Sequence, residues 1–345
     1  MIEIDGSYGE GGGSVVRLAV ALSALTQKPV KVTNIRKHRD HPGLKEQHLQ
    51  AVRAVKELCK GELKGDKIGS TEIEFFPKEI KAKKLNIKIS TAGSVGLLLQ
   101  CLMPVAFFSK NKVEINIQGG GTFGTHSPNS FYLKNILLPT IKKMGFNAEI
   151  EIKREGFYPN GGAIVKAVIN PVTEIKPLIL EERGNLKEIK GDVVVEKHLE
   201  KVSVASRISS AAKQILDKSF TIPIKIDTHY VDAICPGAGA LIYADYENCR
   251  IAWDALGERG KSSEVVGKEA ALGLLNQTAA NCTVDEYLTD QLLIYLALCK
   301  DKSIIKFPVL SRHAETNIWI IKQFLKADFS AKNHVLTVQN PSLER

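Results

Sequence analysis

The sequence predicts an α/β protein in which the order strand, helix, strand, helix, strand, strand occurs three times. A smaller α/β domain is inserted in the third occurrence. Two observations carry this. Short apolar stretches of period two take turns with longer stretches of helical period, and the same order of stretches recurs along the chain. A third is length: 345 residues ask for about two domains at roughly 150 each, a body and an insert.

In the first unit a strand at 2–5 leads through a glycine-rich turn into an apolar helix at 14–25. A strand at 30–35 follows, then a helix at 42–58 opened by Pro42, with Leu49, Val52, Val55 and Leu58 on one face. Two strands close the unit, the clearer at 71–76, where Ile73 and Phe75 alternate with polar neighbours. The second unit repeats this order: strand 85–89, a turn at Gly93, an apolar helix to Phe108, strand 113–117, a loop at 119–127, a helix at 128–144, and strands at 148–152 and 163–169. The third begins with a strand at 177–180. It resumes with a helix at 284–298, a strand at 303–307, a helix at 313–325, and strands near Phe329 and at 335–338. The expected body is therefore 1–181 with 281–345. The insert, 182–280, reads as a strand, a long helix (199–216), three strands and a helix (262–275).

Composition narrows the function. With 44% hydrophobic and 25% charged residues the chain is neither disordered nor fibrous. It lacks an apolar run of about 18 residues, so no membrane span is expected. The first residues lack a basic, apolar leader pattern, which suggests a cytoplasmic protein. Six scattered cysteines without a Cys-x-x-Cys pair read as buried thiols. A net charge of +9 favours anionic partners such as nucleic acid or nucleotide.

Four clusters carry candidate chemistry, each between a strand and a helix. Gly6-Ser7-Tyr8-Gly9-Glu10-Gly11-Gly12-Gly13 lets backbone N–H groups approach phosphate at a helix N-terminus. Glu10 places a carboxylate there that can hold Mg²⁺, and Arg17 lies one turn into the helix. Arg36-Lys37-His38-Arg39-Asp40-His41-Pro42-Gly43, with Lys45, Gln47 and His48, gathers cationic donors beside a helix start, as a phosphate site requires. Gly119 to Pro128, with His126, is a glycine-rich turn. Ser311-Arg312-His313-Ala314-Glu315-Thr316-Asn317 puts a histidine at a helix N-terminus. The dipole there disfavours imidazolium, leaving the neutral ring that a nucleophile needs. A fifth stretch, Ala255 to Ser262, nearly matches the phosphate-binding loop G-x-x-x-x-G-K-[ST]. Ala255 replaces its first glycine, so no such loop is expected.

The chain resembles the RNA 3′-terminal-phosphate cyclases over essentially its whole length. The matching motifs are Asp5-Gly6 with Gly9 to Gly13 and Arg17; Ile35-Arg36 through Pro42-Gly43-Leu44 with Gln47-His48; and Ala92-Gly93-Ser94 with Gln100. Further along lie Gly156-Phe157-Tyr158-Pro159-Asn160-Gly161-Gly162, Glu182-Arg183-Gly184, Glu286-Tyr287-Leu288-Thr289-Asp290-Gln291, and His313 with Thr316-Asn317. Ala163 departs from the pattern where the family often has a third glycine.

The resemblance implies three repeats like the C-terminal domain of translation initiation factor 3, with an insert of thioredoxin-like arrangement. It also implies an ATP-dependent enzyme of the ligase class that turns an RNA 3′-phosphate into a 2′,3′-cyclic phosphodiester, with a divalent cation and, on family precedent, a homodimer. On that resemblance His313 is the residue that takes AMP covalently. Gln100, Pro128, Tyr132, Tyr287, Leu288, Thr289, Asp290 and Gln291 contact ATP, and Glu10 binds the metal. Arg17, Arg36, Arg39, Gln47 and His48 hold the RNA terminal phosphate. Two other readings compete: a non-catalytic cyclase-like protein acting in ribosome assembly, and an enolpyruvyl-transferase-like enzyme, which is also built from repeated α/β units.

Overall fold

Strand register is set by alternation. In β1 (Ile2–Asp5), β2 (Val30–Thr33) and β4 (Ile73–Phe76) every second side chain is buried, so each strand turns one face to helices and one to solvent. The computed structural model describes residues 1–343. Helices α1 (Gly13–Thr26) and α2 (Glu46–Leu58) and strand β3 (Glu62–Lys64) complete this first group. The sheet order is β1-β2-β4-β3, with β1 parallel to β2 and the other pairs antiparallel.

The second group contains β5 (Lys84–Ser94), α3 (Val95–Ala106), β6 (Val113–Gly121), α4 (Ser130–Tyr132), a π-helical turn (Leu133–Leu137), α5 (Leu138–Lys142), β7 (Ala148–Arg154) and β8 (Ile164–Ile169). Its sheet order is β5-β6-β8-β7, again one parallel pair and two antiparallel pairs. After β9 (Ile179–Leu180) the chain leaves to form β10 (Leu186–Glu196), a 3₁₀ turn (Lys197–Val202), α6 (Val204–Leu216), β11 (Ile224–Val231), β12 (Ala238–Tyr246), β13 (Arg250–Leu256) and α7 (Ser263–Ala279). It returns as α8 (Glu286–Ala297), β14 (Ser303–Lys306), α9 (Arg312–Phe324), β15 (Asp328–Lys332) and β16 (Val335–Gln339). The third sheet reads β9-β14-β16-β15 with the same pairing senses, so β9 meets β14 across the excursion. The excursion's own sheet is β11-β10-β12-β13.

The helices of the three like-ordered sheets pack on one another: α1 touches α2, α3 and α9, and α8 touches α3, α9 and the π-helical turn. One hydrophobic core joins them, and it holds Val20, Leu22, Val52, Leu102, Ile136, Leu292 and Ile320, each fully buried. No helix among the described residues is long and apolar enough to cross a membrane. All six cysteines are buried and none is in a disulfide, as expected.

The helix expected at 199–216 begins at Val204 after a 3₁₀ turn and the one expected at 262–275 runs to Ala279; two further differences bear on the site. The helix expected at 42–58 begins at Glu46. Gly43 has φ +81, and a Cβ there would lie 2.2 Å from the Gly69 carbonyl oxygen. Residues 36–45 therefore curl away instead of winding, and Pro42 is not a first helical residue. The helix expected at 128–144 starts at Ser130, capped by the Asn129 side chain, and carries one π turn. There Arg250 Nη1 donates 2.7 Å to the Asn135 carbonyl, so a side chain from β13 satisfies a carbonyl of the irregular turn.

Candidate active site

Three helix starts converge. Tyr8 stacks on Trp319 of α9 with ring centroids 3.9 Å apart, and the Glu10 N–H donates to Thr316 Oγ1 at 3.2 Å. These contacts fix the glycine loop against the first turn of α9, where Ser311 Oγ accepts from the Ala314 N–H. His313 is thereby set beside Arg17 of α1, and Asp290 of α8 reaches the same ring: its Oδ2 lies 2.8 Å from His313 Nδ1. The Asn317 amide is 3.3 Å from that nitrogen. A cavity of about 60 Å³ lies here, lined by Ser14, Arg17, Gln100, Gln291, Tyr295 and Asn317 as well as His313 and Asp290.

The electrostatics are unusual. Arg17 is 7% exposed, and its guanidinium finds no hydrogen-bond acceptor among the described residues. Burial pushes it down to about 10, against the opposing pull of Cys101 and Glu10. His48 is pushed down to about 2, first by burial and then by the charges of Arg17, Arg36 and Lys45, so its ring stays neutral. Its Nδ1 accepts from the Lys45 N–H at 3.2 Å. Its Nε2 sits so close to the start of α1 that a Cβ on Gly13 would lie 2.1 Å away, which is why glycine is needed there.

For His313, burial lowers proton affinity, but the Asp290 hydrogen bond and charge, helped by Glu10, outweigh it and raise the pKa. The helix-terminus argument expected the opposite. It is corrected by a carboxylate from another helix, at contact distance, that more than offsets a partial dipole charge.

The sequence candidates fall into three sets. Arg17, Gln100, Asp290, Gln291 and His313 line the cavity together. Glu10, Arg39, Gln47 and His48 are outside its lining but tied to it: Glu10 acts electrostatically on Arg17 and His313, Arg17 acts on His48, Arg39 Nη2 is 2.9 Å from Glu10 Oε1, and Gln47 Oε1 accepts from the Ser94 N–H at 3.0 Å. The remainder are placed otherwise. Arg36 is buried, and its Nη1 donates to the carbonyls of His41 (2.7 Å) and Gly43 (2.8 Å), tying down the loop. Leu288 and Thr289 are buried in α8. Tyr132 is buried, with its hydroxyl donating 2.5 Å to Asp285. Tyr287 stacks on Trp253 of β13 at 4.8 Å, and Pro128 is half-buried, its carbonyl oxygen 2.0 Å from where a Cβ on Gly96 would sit.

Residues not singled out from sequence complete this second patch. Asp285 caps α8 and also accepts from the Ala252 N–H of β13 at 3.0 Å, and burial pushes it up to about 6. Asn129 Nδ2 donates to Asp254 at 2.8 Å. Nothing in the linear sequence pairs positions 129 with 254 or 132 with 285; only the Asp285 capping position before a helix was readable.

Fold and site define a mixed α/β protein with a small pocket that holds a buried arginine and a histidine paired to a carboxylate. The family model described as RNA 3′-terminal phosphate cyclase matches residues 8–331. The chain is 41% identical over 335 residues to the RNA 3′-terminal phosphate cyclase of Pyrococcus abyssi, covering 97% of this chain and 96% of that one. It is 42% identical over 335 residues to the protein of that name from Thermococcus onnurineus, with the same coverage. With the one from Methanococcoides burtonii it shares 41% over 329 residues, 95% of this chain and 96% of that. The chain belongs to the RNA 3′-terminal phosphate cyclase family.

Proposed function

We propose that this protein converts an RNA 3′-terminal phosphate to a 2′,3′-cyclic phosphodiester at the expense of ATP, through AMP carried on His313. The observation that carries this reading is the pairing of His313 Nδ1 with Asp290 at 2.8 Å beside the buried Arg17. A carboxylate accepts but does not donate, so the ring proton belongs on Nδ1 and the lone pair on Nε2. Nε2 then attacks the α-phosphorus of ATP and diphosphate leaves. AMP next passes to the RNA 3′-phosphate. The adjacent 2′-hydroxyl closes the ring and expels AMP, helped by proximity. Arg17 supplies a donor in the cavity lining, and Arg39, Gln47 and neutral His48 are the further donors of this reading for the RNA terminal phosphate.

A divalent cation fits Glu10 as a partial ligand. Among the described residues no group of three or more His, Cys, Asp or Glu is placed to hold a metal ion. One carboxylate completed by nucleotide phosphates is the usual Mg²⁺ arrangement. Such an ion supplies charge neutralisation to the phosphates.

The shared order and pairing sense of three sheets, and the meeting of β9 with β14 across the excursion, support reading the body as three repeats in 1–181 and 281–345. The insert is then 182–280. Its strand order and two helices support the thioredoxin-like arrangement.

The test is incubation with α-labelled ATP. The protein retains label through an acid-labile bond, and His313→Ala abolishes it while the melting curve is unchanged. A wild type that retains no AMP favours the ribosome-assembly or enolpyruvyl-transferase-like readings instead.

A further inference from the structure

We infer that the cavity beside His313 is a built oxyanion site in which Asn317 is a catalytic donor, acting with Arg17 and the Ser14 hydroxyl on the phosphoryl group that His313 attacks. This rests on the proposed adenylyl transfer. Six buried side-chain polar atoms lack a hydrogen-bond partner among the described residues. Four of them, Ser14 Oγ, Gln291 Oε1, Tyr295 Oη and Asn317 Oδ1, belong to residues that line this one cavity. Arg17 adds a buried guanidinium with no acceptor. Unpaired buried polar groups and charges are costly, and their concentration around one space points to a ligand that satisfies them. Helix α1 adds to it: its N-cap, Gly12, has no side chain to accept from the first-turn N–H groups, so the positive end of a 14-residue helix is left open beside Ser14.

The Asn317 amide identifies the ligand's sign. Asp290 demands a proton on His313 Nδ1, yet Asn317 Nδ2 lies 3.3 Å from the same atom, N–H against N–H. Amide oxygen and nitrogen are isosteric. A half-turn of the amide puts Oδ1 against Nδ1–H and places the NH₂ donors where Oδ1 now lacks a partner. That one rotation removes both defects and gives the cavity three donors, a guanidinium, an amide NH₂ and a hydroxyl, beside the acceptors Asp290 and Gln291 Oε1, whose amide nitrogen donates to the Tyr287 carbonyl. The donor set suits an anion with several oxygens. About 60 Å³ is several times the roughly 15 Å³ that one water needs.

In the adenylylation step the Nε2–P bond forms, the bond from phosphorus to the bridging oxygen breaks, and diphosphate leaves with the electron pair. The proton stays on Nδ1, hydrogen-bonded to Asp290, and the charge on the non-bridging oxygens of the α-phosphorus falls to Arg17, Asn317 and Ser14. A preorganised donor of this kind is worth about 100-fold or more in rate.

Single-turnover labelling with ATP, in wild type and in Asn317→Ala, Asn317→Asp and Ser14→Ala, tests this. Asn317→Ala should slow labelling about 100-fold, and Asn317→Asp should be slower still. Both should flatten the wild-type preference between the two diastereomers of α-thio-ATP. If the amide merely orients His313, aspartate replaces it as an acceptor and Asn317→Asp outperforms Asn317→Ala; that order overturns the inference. So does an unchanged diastereomer preference in all three variants. Inorganic phosphate gives an arm independent of the reaction: it should raise the wild-type melting temperature but not that of Arg17→Gln. Absence of any wild-type shift overturns the anion site. A phosphate shift lost in Arg17→Gln, with a wild type that takes no AMP, upholds the site while the cyclase reading falls.

Discussion

His313 shows how one residue answers to several elements. Its own helix and its burial disfavour a charged ring, yet Asp290 from α8 reverses the sign and fixes the tautomer. Because a charged partner raises the proton affinity of His313, removing that charge must lower it. Asp290→Asn should move the acid limb of the adenylylation pH profile to lower pH while lowering the plateau, since the tautomer is no longer enforced. Labelling rates between about pH 5 and 9 check this; an acid limb that stays put separates Asp290 from the ring. The candidate histidine was singled out by its place at a helix start together with the motif it shares with the family, since an isolated histidine there reads as a helix cap. Its partner's role was not legible. Asp290 and His313 are neighbours only once α8 and α9 pack.

At the scale of elements, loops separate residues that the sequence groups. Arg36 and Arg39 stand three apart in one basic run, yet Arg36 ties the loop to itself while Arg39 reaches Glu10 in the glycine loop before α1. Arg36→Ala leaves the buried Gly43 carbonyl without its donor and should cost about 1–3 kcal/mol by chemical denaturation. Arg39→Ala breaks an exposed pair and should cost at most about 1 kcal/mol, while slowing AMP transfer to a 3′-phosphorylated oligonucleotide. Equal stability losses in the two variants would contradict this division. The near phosphate-binding loop between β13 and α7 is likewise decided locally. Lys261 Nζ is bound by Glu269 and by the Leu256 carbonyl, and Ser262 caps α7. A lysine spent this way does not serve a nucleotide. Lys261→Ala should leave ATP labelling near wild type; a collapse of labelling in a folded variant would restore the loop to candidacy.

At the scale of the molecule, the proposed function has the net charge of +9 act on the RNA substrate more than on chemistry at the cavity. The Michaelis constant for a 3′-phosphorylated oligonucleotide should climb steeply as salt rises from about 50 to 300 mM, with a log–log slope of roughly 0.7 per phosphate contacted. ATP labelling without RNA should change less over that range. A flat RNA dependence would confine the contact to the terminal phosphate. The sequence by itself determined the α/β class, the order of strands and helices, the excursion between β9 and α8, and the clusters carrying Glu10, Arg17, His48 and His313. These are local properties, since period, turn residues and motif spacing are written along the chain. Tertiary structure alone decided which basic residues face the cavity, that Gly43 delays α2, and that Arg250 supports a π turn 115 positions earlier. It also decided that Asp285 links α8 to β13 and that Asp290 rather than the helix dipole governs His313. Those outcomes turn on distances of about 3 Å between residues far apart in the chain, which burial and packing set and linear spacing does not.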